Sequence, residues 1–520
     1  MATQATPATA GAYLDRSRSS TTARGDQATG LVGGWSMAQT WAAVAALTAA
    51  GVALRLLIVR GIWVDEAISI HQAHMSLSDM LANLRTTDNH PPLYFLLLWV
   101  NVRVLGYSEF AVHVPTIIAG TLLIPALFVT GRELFDRRTG LFAAMLASVA
   151  PLLIWYSQEA RPYALFMLFA TLAVWAQARV LKDGGIRYWI AYGAFTIALL
   201  YTHYFSVLPI AIQQLAFIVA VWNRTRRNEP VKRFLTAYWI TWIAIAVALA
   251  PLMPYIHQQF VHDQVAGTGF DGAPSAGAAS TSLPQTSHPN VYALIANFVW
   301  AIWGYHANST MLRVAALWPL LMLLALTLLG RGRSRQTLLV VALAVVPALL
   351  LMAVGFKKRD LFEVRYFSGA VPMLILLTAR TVVAASARRL PVMLAAAALT
   401  VTVLLGTADQ QMSGNNPRDY PFRDALHNLD AHARPGATLM YAPNYLQDVI
   451  EYYAPHVRVV ALGAHKPQIP AHGQVFVLGS FFDHPGFASE VGNARAAIRQ
   501  AHRRLVGTQT LEKVYMWEYR

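Results

Sequence analysis

From Met37 to Gly406, long apolar runs alternate with short polar connections. Runs of about 20 residues with almost no charge have the length needed to cross a bilayer as helices. The pattern predicts spans at Met37–Val59, Val112–Thr130, Leu141–Tyr156, Pro162–Leu181, Tyr188–Leu200, Phe205–Trp222, Ala237–Ile256, Leu312–Leu329, Leu338–Val354, Phe367–Thr378 and Val392–Leu405. Pro91–Leu105 is apolar but shorter, and Arg103 interrupts it, so it reads as an interfacial or re-entrant helix. Val291–Gly304 reads as another partial span.

After about residue 408 the pattern changes period. Ala437–Tyr441, Arg458–Leu462 and Val475–Leu478 read as strands, Tyr445–Tyr453 as a helix, Ala488–Leu505 as an amphipathic helix, and Leu511–Tyr519 as strand-like. The predicted fold class is therefore an α-helical polytopic membrane protein, with about eleven transmembrane helices plus interfacial ones, carrying a small C-terminal extracytoplasmic α/β domain over 408–520. Residues 1–36, rich in Ala, Thr, Ser and Gly, read as a disordered cytoplasmic tail, and 268–287 as a mobile loop of the lid type.

Composition agrees. Apolar types make up 56% of the 520 residues and charged types 13%, about half the charged share of soluble domains. The absence of cysteine excludes disulfides, thiolate nucleophiles and Cys-ligated metals. The net charge of +15 does not point to nucleic acid, because the cations gather in the connections between spans. Five connections are basic: 132–138, 182–187, 224–233, 331–335 and 380–389. If Pro91–Leu105 does not cross, all five share one side with the N-terminal tail, and the positive-inside rule makes that side cytoplasmic. The segments Arg60–Pro92, Ser157–Arg161, Tyr201–Tyr204, His257–Pro289 and Phe356–Tyr366 then face outward, as does the C-terminal domain.

Chemistry-bearing residues cluster in these outward segments. Asp65 and Glu66 follow the first span; a carboxylate at such an interface can take a proton from a hydroxyl. Asp88-Asn-His90-Pro-Pro-Leu-Tyr94 gives a rigid entry into a helix, with His90 and Tyr94 able to bind a hydroxyl or phosphate. Glu159 and Arg161 lie between two spans, and His203 and Tyr204 at another junction. Phe356–Tyr366 breaks the charge rule by placing Lys357, Lys358, Arg359 and Arg365 outside, next to Tyr366; a lipid-linked phosphate would supply their counter-charge. Each group taken alone has a plainer reading: a solvated pair, a helix start, a local ion pair or headgroup contacts. Histidine spacing gives no metal signature, and a divalent cation on Asp65, Glu66 or Asp88 stays open.

In order and sidedness these segments resemble the GT-C glycosyltransferases, closest to the protein O-mannosyltransferase and aminoarabinose-transferase group. The matching elements are Asp65-Glu66 in the first external loop, His90-Pro-Pro-Leu-Tyr94 opening a juxtamembrane helix, a small-residue span with the basic turn 131–140, Glu159-Ala-Arg-Pro162, and Arg365-Tyr366 before a span containing Pro372. The resemblance implies a polyprenyl-phosphate sugar donor and an extracytoplasmic glycan, lipid or protein acceptor. It implies Asp65 as base in an inverting displacement, with Glu66 orienting Asp65 or the acceptor. Lys357, Lys358, Arg359, Arg365 and Arg161 would hold the leaving phosphate, with His90, Tyr94, Glu159, His203, Tyr204 and Tyr366 binding substrate. It leaves open which sugar moves, mannose and arabinose included. The alternatives are a transporter or flippase of lipid-linked sugars, which would place ionisable groups mid-membrane in repeated halves, and a polysaccharide polymerase or ligase.

Overall fold

The computed structural model describes residues 34–85, 90–265, 289–305, 334–356, 362–386, 390–412, 420–463, 468–470, 472–482, 485–511 and 513–520. The tail 1–33, most of the loop 257–289, the span Leu312–Leu329, Asp88, and the cations Lys357, Lys358 and Arg359 lie outside these residues.

Each expected span among the described residues is a helix. In chain order the helices are α1 (Met37–Leu56), α2 (Val64–His74), α3 (Leu77–Asn83), α4 (Leu93–Leu105), α5 (Glu109–Leu134), α6 (Arg137–Val149), α7 (Pro151–Ser157), α8 (Tyr163–Asp183), α9 (Ile186–Leu200), α10 (Val207–Arg226), α11 (Lys232–Leu249), α12 (Met253–Val265), α13 (Val291–Trp303), α14 (Arg335–Gly355), α15 (Val371–Ser386) and α16 (Leu390–Met412). Seven helices among the described residues are long and apolar enough to cross a bilayer, or eight if the bent pair α6–α7 counts as one span. The protein is thus a polytopic membrane protein. The 13 residues of α4 and of α13 are too few to cross alone, as their sequences suggest.

Local chemistry sets the boundaries. Ser36 caps α1 in a reciprocal pair with Gln39, and Asp136 caps α6 through the Thr139 N–H at 2.8 Å. Gly106, Gly184 and Gly304, all at positive φ, end α4, α8 and α13. Helices α5 and α6 form a tight hairpin: a Cβ on Gly131 would sit 2.8 Å from the Gly140 Cα, so both positions need glycine for the backbones to approach.

The α6–α7 pair bends by 60° where Pro151 starts a new helix. Proline has no N–H to offer the preceding turn, which leaves carbonyls of α6 in want of donors. Arg55, fully buried in α1, fills the gap. It donates to the carbonyls of Ala147 and Ser148 at 3.4 Å each, to the Gly51 carbonyl at 2.8 Å, and to Ser157 Oγ at 3.0 Å. A buried cation is thus held entirely by neutral oxygens, four of them in reach.

The C-terminal part is a five-stranded sheet with order β2-β1-β3-β5-β4, formed by β1 (Thr438–Ala442), β2 (Arg458–Ala461), β3 (Val475–Ser480), β4 (Leu505–Leu511) and β5 (Val514–Tyr519). The first three strands are parallel and β5 runs antiparallel to β3 and β4. Three helices, α17 (Phe422–His432), α18 (Gln447–Tyr453) and α19 (Pro485–Gln500), flank it. Two expectations need correction. The helix expected to reach Leu505 stops at Gln500, because His502 takes a left-handed φ of 58° and turns the chain. The strand expected over Leu511–Tyr519 is β5, but a further strand precedes it: β4 alternates exposed and half-buried positions and pairs with β5 as a hairpin.

This domain grips the loop that leads into α2. Tyr453 Oη accepts the Ile62 N–H at 2.6 Å and donates to Glu109. Arg423 bonds Glu109 Oε1 at 2.7 Å and the Val59 carbonyl at 2.8 Å. The Trp63 ring packs on Tyr420 and Phe481.

Candidate active site

Asp65 and Glu66 are neighbours in the first turn of α2, and successive helical positions point about 100° apart. That geometry divides the pair. Glu66 turns inward and is fully buried. Its Oε1 takes His113 Nε2 at 2.7 Å and the Ala160 N–H at 2.6 Å, and its Oε2 takes the Trp63 N–H at 2.8 Å. One carboxylate thereby ties α2 to α5 and to the segment between α7 and α8. Burial pushes this carboxyl up, but His113, Arg60 and the Ala160 N–H together outweigh it and hold the group below the usual range. Glu66 stands beneath the site rather than in it.

Asp65 turns the other way, into a cleft lined by Arg60, Trp63, Trp155, Glu159, Tyr163 and Arg365, among others. Its Oδ2 lies 3.4 Å from Arg365 Nη1, although 300 residues separate the two. Arg365 is also paired with Glu363, Nε to Oε2, at 2.9 Å. Arg161 reaches in from the segment before α8. It donates from Nη1 to Ser69 Oγ at 3.0 Å and to the Asp65 carbonyl at 3.4 Å, and its Nη2 lies 3.2 Å from His90 Nδ1. Proline at the α4 and α8 starts, Pro92 and Pro162, fixes the backbone beside His90 and Arg161.

Behind the cations lies an aromatic wall. His203 stacks on Phe166 with 4.6 Å between centroids, and the His90 ring meets it edge-on at 5.3 Å. Burial, with His90, Arg161 and Arg365 nearby, pushes the His203 pKa well below the free value, so the ring is neutral. Tyr366 packs on Phe205, and Tyr204 opens the short turn before α10. Glu159 accepts from Trp155 Nε1 at 3.0 Å, and the Arg60 guanidinium lies 3.2 Å above the Trp155 ring. Tyr94 lies fully buried in the core outside the lining of the cleft. The free space among these side chains amounts to about 20 Å³, roughly that of one water molecule.

The sequence therefore identified Asp65, Arg161, His90, Glu159, His203, Tyr366 and Arg365 as neighbours, and the fold gathers them. It passed over Glu363, which sits in a run dominated by cations, over Trp155, which reads as a span residue, and over Tyr305, just past the partial span Val291–Gly304. It also passed over His113, hidden within an apolar run. Among the described residues, the side chains spaced to ligate a metal are His71, Asp448 and Glu451, at the contact of α2 with α18. Asp65 faces a guanidinium, and the oxygens of Glu66 are taken up by His113 and the Ala160 and Trp63 N–H groups.

Comparison with solved structures bears on this geometry. The chain superposes on ArnT from Cupriavidus metallidurans, solved with undecaprenyl phosphate bound, with a TM-score of 0.55 at 12% identity, covering 93% of this chain and 98% of that one. It also superposes on the Archaeoglobus fulgidus oligosaccharyltransferase tethered to an acceptor peptide, with a TM-score of 0.54 at 12% identity, covering 92% and 74%. The chain thus shares its fold with both of these proteins. The family model described as dolichyl-phosphate-mannose-protein mannosyltransferase matches residues 89–257, which run from just before His90 to the end of α11 and beyond. No curated protein sequence matches the chain.

Proposed function

We propose that this protein moves a sugar from a polyprenyl-phosphate donor to a hydroxyl of an extracytoplasmic acceptor, with inversion at the anomeric carbon. The observation that carries the reading is the meeting of Asp65 with Arg365 in one cleft, with Arg161 behind it on the Asp65 carbonyl. Asp65 takes the proton of the acceptor hydroxyl, whose oxygen attacks the anomeric carbon as the carbon–oxygen bond to phosphate breaks. The leaving polyprenyl phosphate gains negative charge. Arg365, Arg161 and His90 meet that charge, as preorganised donors do at other anionic leaving groups. Lys357, Lys358 and Arg359 would add to it from the segment before Arg365.

Arg365 is divided between Asp65 and Glu363. A donor phosphate competes for that guanidinium and frees Asp65 to act as base, so donor binding precedes proton transfer. Glu66 positions Asp65 by fixing the first turn of α2. Glu159, His203, Tyr204 and Tyr366 contribute the sugar-facing wall, and Tyr94 supports it from the core. The opposite assignment, a transporter, would draw on an intramembrane charge, but Arg55 is bonded on all sides and lines neither the cleft nor a path to it.

The decisive experiment is Asp65→Asn in purified protein supplied with a panel of polyprenyl-phosphate sugars. Loss of a general base lowers the rate by about 10²–10⁴-fold. A variant that melts like the wild type and transfers sugar at the wild-type rate would remove the proposal.

A further inference from the structure

A groove of about 760 Å³ runs along the bilayer-facing side of α9 and α11, far larger than the free space at the cleft. Its walls are almost wholly apolar, with Ile186, Ile190 and Ile240 each more than 60% exposed. Gly193 lets the two helices close on each other beneath it, since a Cβ there would come within 3.3 Å of Thr241 Cγ2. At one end stand Lys232 and Arg233, both exposed. Among the described residues neither has a carboxylate partner. This sets them apart from the cations on the neighbouring turn, where Arg179 and Lys182 are tied to Glu133.

We infer that this groove is a binding site for an anionic phospholipid, with an acyl chain along α9 and α11 and the headgroup phosphate on Lys232 and Arg233. An apolar trough that ends in two unpaired cations is complementary to an anionic amphiphile, and basic pockets between membrane helices hold such headgroups. The donor lipid is the other phosphate-bearing amphiphile to consider. Its phosphate must reach the Asp65 end, however, and the groove's cations stand at the far end of the same helices. Helix α9 leads from Ile186 beside the cations to Leu200 beside His203, about 22 Å of helix. The Tyr201 hydroxyl bonds the Ala248 carbonyl near the end of α11, so both helices converge on the cleft side. The basic end is also the end that loop charge assigns to the cytoplasm, where anionic lipids are concentrated.

The test uses the full chain in nanodiscs of phosphatidylcholine alone or mixed with phosphatidylglycerol, followed by native mass spectrometry of the lipids retained. Wild type is expected to keep phosphatidylglycerol in preference to phosphatidylcholine. Lys232→Gln with Arg233→Gln should lower that preference by roughly fivefold per cation, or about 25-fold together. Ala194→Trp, which fills the groove and leaves both cations, should abolish retention of the lipid. An unchanged preference in the double variant overturns the inference. So does a stable dimer in phosphatidylcholine alone that Ala194→Trp splits, because the groove would then hold a second copy of the chain.

Discussion

The two ends of the helical bundle use the same side chains to opposite effect. At the end bearing the α5–α6 turn, charges consume one another. Glu133 takes Arg179 at 3.0 Å and Lys182 at 2.9 Å, Arg179 also takes Asp183 at 2.6 Å, and Arg380 closes on Asp136 at 2.9 Å. At the cleft end, ionic valence is left over. Arg365 is shared by two carboxylates, and Arg60 lies on an indole with one Nη making no hydrogen bond among the described residues. His203 keeps a buried Nε2 without a partner among those residues. Buried polar atoms without partners are costly, and structures retain them where a ligand or a reaction uses them. The α5–α6 turn is electrically finished, whereas the cleft keeps donors in reserve, as Lys232 and Arg233 do at the rim of the α9–α11 groove.

The contrast can be broken at several points. The largest effect belongs to Glu66→Ala, which strips a buried cation-facing carboxylate from three donors and should cost on the order of 3–5 kcal/mol, read as loss of thermal stability. Its pH dependence follows from the sign of the shift. The folded carboxyl lies below its free value of about 4.3, so its contribution is full above that pH and is lost as pH falls through the folded value. Acid titration of the variant should lack this arm. Next is Arg365→Ala, which should lower turnover by about 10²–10³-fold, equivalent to ~3–4 kcal/mol. If it melts far below wild type and keeps turnover, Arg365 belongs with the finished charges rather than the open ones.

His203→Gln tests the unspent histidine. Its folded pKa lies below the free value of about 6.5, so wild-type stability should fall as pH drops below that point, by up to ~1.4 kcal/mol per unit. The variant should be flat in the same range, as followed by unfolding at graded pH. Glu133→Gln is the smallest change. It removes two partly exposed pairs worth ~0.2–1 kcal/mol each and should leave turnover untouched. A large loss of turnover there would erase the distinction between the two ends.

Much of this contrast could be read from the chain. Apolar runs fixed where the helices lie, and charges at their ends named Asp65, His90, Arg161 and Arg365 before any contact was known. The division of labour between Asp65 and Glu66 could not be read, because it depends on the rotation of α2, and the 11 residues of that helix show no strong polar face. Glu363 was hidden by its basic neighbours, and Trp155 by the apolar run around it, although its indole carries Arg60. The strand β4 was hidden by its threonines and glutamine, whose alternation matters only once β5 lies beside it. Side chains at the ends of greasy runs announce themselves; those whose role comes from a partner hundreds of positions away do not.

The arginine at position 55 carries a lesson about biogenesis. The guanidinium sits in the last turn of α1, within reach of an aqueous edge, and its acceptors on α6 and α7 emerge from the ribosome about a hundred residues later. The first span must therefore wait in a provisional posture, tilted or with its guanidinium drawn toward an aqueous edge, until the bent pair arrives to receive it. Assembly of the bundle is in this sense sequential: the segment made first is the one that settles late.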